Sequence, residues 1–107
     1  MSLRRRGLTV SSIIHGVATA LITPFEANGS IDWDAFSVLV SKQCKAGIKG
    51  LVLCGTTGES PCLRVQEKIS IFRKARSLVP GDVHLMAGVG GQDTSQTIEL
   101  AKLASDP

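Results

Sequence analysis

These 107 residues contain no tyrosine, and their only aromatic rings are Phe25, Phe36, Phe72 and Trp33. Surfaces that bind nucleic acid set aromatics among basic side chains. None of these four stands in a basic cluster, so nucleic acid is excluded as the expected partner. No apolar run approaches the ~20 residues that span a bilayer, which excludes a membrane-spanning helix. Cysteine is sparse: Cys44, Cys54 and Cys62 are odd in number and lack the paired short spacing of zinc ligands, so free thiols in a reducing cytosol are expected and no metal site is. Excess charge is also nearly missing. The formal charge is +3, and without Arg4, Arg5 and Arg6 the remaining bases equal the acids in number. No acid precedes Glu26, and the opening MSLRRRGLTVSS is rich in Arg and Ser. Residues 1–13 therefore read as a basic or disordered extension; cytoplasmic residence is expected, with an organelle transit peptide as the alternative.

What is present is the composition of one folded domain, 43% apolar and 20% charged, as in soluble globular proteins. From Gly50 the run GLVLC is continuously apolar, ringed by glycine and too short for a helix, which predicts a strand buried on both faces of a parallel sheet. The runs VATALI (17–22) and VHLMAG (83–88) read the same way. Between them lie helical periods. Asp32 is placed to cap a helix over 33–46 that turns Phe36, Leu39, Val40 and Ala46 inward and stops at Gly47. A second, over 64–78, turns Ile69, Phe72, Ala75 and Val79 inward and ends at Pro80-Gly81. A third, over 94–104 and opened by Asp93 or Thr94, carries Ile98, Ala101 and Ala104. Strands at 16–22, 50–54 and 83–88 alternating with these helices imply right-handed crossovers and a parallel α/β sheet. The pattern fits either an open doubly wound sheet or the start of an eightfold barrel, which needs ~250 residues.

In both architectures ligands bind where strands run into helices. The stretch after the second strand is Cys54-Gly55-Thr56-Thr57-Gly58-Glu59-Ser60-Pro61. Its glycines let backbone N–H groups approach a ligand, and its hydroxyls donate, accept or relay protons. Such a loop suits a carboxylate or a carbonyl on its way to an enamine. The plainer reading, a glycine-rich turn whose threonines only satisfy backbone groups, has equal weight on composition alone. The Gly-Lys-Ser/Thr ending of a nucleotide-phosphate loop is absent, and so is the dinucleotide glycine spacing.

Gly55-Thr56-Thr57-Gly58-Glu59-Ser60 after a buried strand resembles the signature loop of the dihydrodipicolinate synthase family. Ala20-Leu21-Ile22-Thr23-Pro24-Phe25 is similar to that family's first strand and its exit, and Ala87-Gly88-Val89-Gly90 to the end of its third. The resemblance runs over about 14–104. It implies that 14–107 are the N-terminal three βα units of a TIM (β/α)8 barrel of the class I aldolase type, usually a homotetramer. It implies a reaction in which pyruvate forms a Schiff base with a sixth-strand lysine and the enamine attacks aspartate semialdehyde. No metal or organic cofactor is expected, because the iminium is itself the electron sink. By the same resemblance Thr56 is the catalytic hydroxyl of a proton relay, Thr57 holds the pyruvate carboxylate, and Gly55 and Ala20 line the substrate pocket. Gly58 and Glu59 shape the loop, Glu59 as a buried carboxylate anchor.

The chain departs from the family pattern in what it lacks. Both relay tyrosines are missing, and no lysine lies on a strand near the loop: Lys42, Lys45, Lys68, Lys74 and Lys102 fall on predicted helices and Lys49 before the second strand. A Schiff-base lysine has to be desolvated in the pocket, so the chain alone is expected to be inactive. Another pyruvate-dependent aldolase, such as an N-acetylneuraminate lyase or a sugar-acid aldolase, or a non-catalytic α/β binding module, are the alternatives. His15 and His84 fall at the N-terminal ends of strands and are expected to have no chemical role. Cys54 and Cys62 flank the loop closely enough to be modified, but neither has an activating base nearby in sequence. In lysine-inhibited members of the family, the inhibitor site maps onto Ser60, Val65, Lys68, Gln92 and Gln96 here, and only Ser60 keeps a family-like contact.

Overall fold

A computed structural model describes residues 15–106; the expected extension at 1–13 lies outside them. Three strands, β1 (Ala18–Ala20), β2 (Gly50–Leu53) and β3 (His84–Ala87), alternate with three helices, α1 (Trp33–Lys45), α2 (Val65–Leu78) and α3 (Thr94–Ser105). The sheet is parallel in the order β1-β2-β3, with Ala18 opposite Gly50 and Gly50 opposite His84. A consecutive order is shared by a barrel and by half of a doubly wound sheet, so order alone leaves both open.

Local chemistry accounts for the helix ends. The Asp32 carboxylate accepts from the Ala35 N–H at 2.9 Å, satisfying one of the orphan donors at the start of α1. Gly47, at φ +89°, takes the left-handed turn that releases the chain toward β2. Glu67 accepts from the Arg64 N–H at 2.9 Å, closing the first turn of α2. The Asp93 carboxylate accepts from Ser95 and Gln96 N–H groups and opens α3.

Alternation along the strands separates two faces. Leu51 and Leu53 point to the helices and are 0% and 2% exposed, packed with Phe36 and Val40 of α1 and Ile71, Phe72 and Ala75 of α2. Each of the leucine, isoleucine, valine and phenylalanine side chains contributes about 1.5–3 kcal/mol by leaving water. On the other face, Ala18 and Met86 come close to Gly50, and Ala18, Ala20, His84, Met86 and Val52 are exposed or half-buried. Burial on both faces, expected for all three strands, is therefore corrected: one face of the sheet is open, and β1 and β3 are its edges. Two inward assignments also change. Ala46 caps α1 in an exposed position, and Ile98 is 49% exposed while Leu100 is buried. α3 packs on α2, while Ile98 and Leu103 of its apolar stripe stay exposed.

Candidate functional site

Immediately after β2 the backbone reverses through Cys54, which is buried and held at φ +55°. Its carbonyl oxygen lies against Gly88 at the end of β3, where any Cβ would overlap it and would also sit 2.9 Å from the Leu53 oxygen. Glycine is required at 88 for the two strand ends to approach. The loop that follows is closed on itself: the N–H groups of Gly58 and Ser60 donate to the Gly55 carbonyl, at 3.1 and 3.3 Å, and that of Glu59 to the Thr56 carbonyl at 3.0 Å. Glu59 turns the chain at φ +61° into a short 3-10 segment, Ser60–Cys62, with Pro61 in its first turn.

The expected anchor is corrected here. The Glu59 side chain is exposed and has no hydrogen bond among the described residues; an acid at a left-handed position on the tip of a turn has water on most sides. The loop is tied down from the exit of β1 instead. Thr23, 5% exposed, donates its hydroxyl to the Gly58 carbonyl at 2.7 Å across 35 residues of sequence. Sequence reasoning included Thr23 only as part of the Thr23-Pro24 exit of β1. Nothing in its spacing pointed to residue 58, because the pairing of β1 with β2 is what brings the two segments together.

An open cleft of about 740 Å3 lies between this loop and the exit of β3, with Gly55, Thr56, Ser60, Lys68, Gln92 and Gln96 on its walls. Of the expected site residues, the fold brings Gly55 and Thr56 into this cleft. Thr57 is exposed and Ala20 stands at the end of β1 on the open face, and neither lines the cleft. Lys68 reaches the cleft from α2, which its helical position alone did not suggest. A narrower groove of about 420 Å3 runs between α2, α3 and β3 past Phe72, Leu85 and Leu103. It lies on the helix side, away from the loop.

His84 pairs with Gly50 at the N-terminal end of the sheet and His15 is exposed before β1, both far along the strands from the loop. Burial pushes the Cys54 thiol up to about 11, against a smaller opposing pull from Lys68. Its expected availability for modification is corrected accordingly, whereas Cys62 is exposed. Burial, then the Asp82 charge, raises Cys44 as well. Among the described residues no group of three or more His, Cys, Asp or Glu side chains is arranged to hold a metal, and no helix is long and apolar enough to cross a membrane.

Residues 13–107 match the family model described as the dihydrodipicolinate synthetase family. The chain belongs to that family. It is 42% identical over 94 residues to the 4-hydroxy-tetrahydrodipicolinate synthase of Saccharophagus degradans, covering 88% of this chain and 32% of the relative. The crystal structure of a dihydrodipicolinate synthase from Bacillus anthracis superposes with a TM-score of 0.80 at 40% identity, over 84% of this chain and 31% of that one. The Acinetobacter baumannii enzyme, solved with pyruvate, gives 0.82 at 31% identity over 85% and 31%. The chain thus spans about a third of the length of the family members it matches. The name carried by the relatives is that of a lyase. The solved family members are TIM barrels, which decides the architecture: the described units are the N-terminal three βα units of that fold.

Proposed function

We propose that this chain provides the pyruvate-side loop of a 4-hydroxy-tetrahydrodipicolinate synthase, a class I aldolase joining pyruvate to L-aspartate 4-semialdehyde in lysine and diaminopimelate biosynthesis. The observation that carries it is the closed Gly55–Ser60 turn at the C-terminal end of β2, the end at which barrel enzymes place their chemistry. Thr57 binds the pyruvate carboxylate through its hydroxyl and backbone N–H, and Thr56 passes the proton that moves as the enamine forms. Gly55 and Ala20 leave room for the ligand, and Gly58 permits the tight turn. The nucleophile is a lysine supplied by a later strand. The catalytic unit is 14–107 joined to further barrel units, working in the cytoplasm as a homo-oligomer.

The reading is tested in a chimera in which residues 16–106 replace the matched third of the Bacillus anthracis barrel. It is expected to form a borohydride-trapped pyruvate adduct and to condense the two substrates. Thr56→Val lowers kcat about 100-fold or more, the usual scale of a proton-transfer group, while Thr57→Val acts mainly on the KM for pyruvate. In the isolated chain, pyruvate and borohydride leave the mass unchanged. An adduct on Lys68 or any other lysine of the chain overturns the assignment of the nucleophile elsewhere.

Regulation follows from the cleft beside the loop, where Ser60, Lys68, Gln92 and Gln96 stand together. Lysine carries two ammonium groups that need acceptors, and the cationic Lys68 with the uncharged Gln96 opposes them. The chimera is therefore expected to keep its activity in millimolar lysine. Strong inhibition that weakens in Ser60→Ala refutes this.

A further inference from the structure

Thr23 is the only polar or charged residue that is buried among the described residues, and the reaction outlined above gives it no task. Among the described residues its hydroxyl reaches one acceptor, the Gly58 carbonyl. That carbonyl belongs to the same rigid peptide plane as the Glu59 N–H, which donates to the carbonyl of Thr56. One end of the plane is therefore held by the segment that leaves β1, and the other holds Thr56. The surroundings leave little slack. A Cβ at Gly58 would lie 3.1 Å from the Leu21 oxygen and 3.3 Å from the Cys54 backbone, and the loop is bracketed by two non-glycine residues in the left-handed region, Cys54 and Glu59. Such residues persist only where neighbouring structure over-determines them.

We infer that Thr23 is a positioning residue: its bond to the Gly58 carbonyl orients the Gly58–Glu59 peptide and through it the Thr56 backbone, so that the relay hydroxyl stands where the enamine forms. The inference rests on the pyruvate reading of the loop for its catalytic consequence, but not for its structural one. Loss of the hydroxyl leaves a buried carbonyl unsatisfied, which favours a rotated peptide plane over the observed one. The rotation breaks the Glu59-to-Thr56 bond without disturbing the apolar packing of α1 and α2.

Thr23→Val, which keeps the shape and removes the donor, and Thr23→Ser, which keeps the donor, test this in both the full chain and the chimera. Amide hydrogen exchange is expected to quicken at Gly58 and Glu59 in Thr23→Val by about tenfold or more, the scale of one lost buried hydrogen bond. The amides of Phe36 and Val40 in α1 stay at their original rates, and Thr23→Ser restores the loop. In the chimera, Thr23→Val lowers kcat about tenfold with the KM for pyruvate within about twofold, and Thr23→Ser recovers it. Equal acceleration of loop and α1 amides in the chimera makes Thr23 a general stabiliser and overturns the inference, as does an unchanged loop. A chimera that never traps pyruvate defeats the functional reading instead, and loop exchange then decides the positioning role by itself.

Discussion

Cys54 shows how a single residue separates what spacing implies from what burial does. Its place beside Gly55 and Thr56 makes it look available, yet it is buried and its thiol stands at about 11 instead of the ordinary 9.0. Two pH units less ionisation, before any steric shielding, slow alkylation roughly 100-fold. Iodoacetamide at pH 8 is therefore expected to label the exposed Cys62 well before Cys54, as peptide mass mapping over time will show. The sign for stability follows from the same shift. With the folded value above the unfolded one, the thiol's contribution is complete below pH 9 and is lost as the pH rises toward 11. Urea midpoints should fall across that window, and Cys54→Ala should flatten the fall. Thr23 is the opposite case, a residue of unremarkable type whose role appears only when β1 is laid beside β2. Glu59 likewise owes its exposure to the left-handed turn, which no spacing of charged residues announces.

At the scale of elements, the helices lay open in the sequence because their signals are local. Asp32 at the head of an apolar 3.6-residue stripe, and Gly47 just past its end, mark α1 to within a residue of its observed limits. Asp32→Ala is expected to cost about 1 kcal/mol, the usual worth of such a cap, read as a lowered urea midpoint with an unchanged denaturant slope. The strands came out shorter than expected: VATALI narrows to Ala18–Ala20 and VHLMAG to His84–Ala87. Strand length is set by the partner, and among the described residues only β2 has a partner on each side. The 3-10 turn at Ser60–Cys62 went unforeseen because Pro61 reads equally well as a plain loop residue.

In the isolated chain, the face formed by Ala18, Ala20, Val52 and Met86, open among the described residues, and the edges of β1 and β3, unpaired among them, dominate the expected behaviour. Val17 and Ile22, 66% and 51% exposed, add apolar surface at both ends of β1. An edge with free N–H and C=O groups beside apolar side chains is a template for pairing, and so small a core gives little reserve against it. Sedimentation velocity of the isolated chain is expected to show concentration-dependent association; a monodisperse monomer that unfolds cooperatively would count against this. The sequence by itself determined the alternation of strands and helices, the helix caps and the hydroxyl loop at a strand exit, since each depends on residues within a few positions of one another. The tertiary structure alone decided that Thr23 holds Gly58, that Gly88 must admit the Cys54 carbonyl, and that Thr56 but not Thr57 or Ala20 lines the cleft. Those contacts join residues tens of positions apart through strand register and close packing, and neither is written in any local pattern.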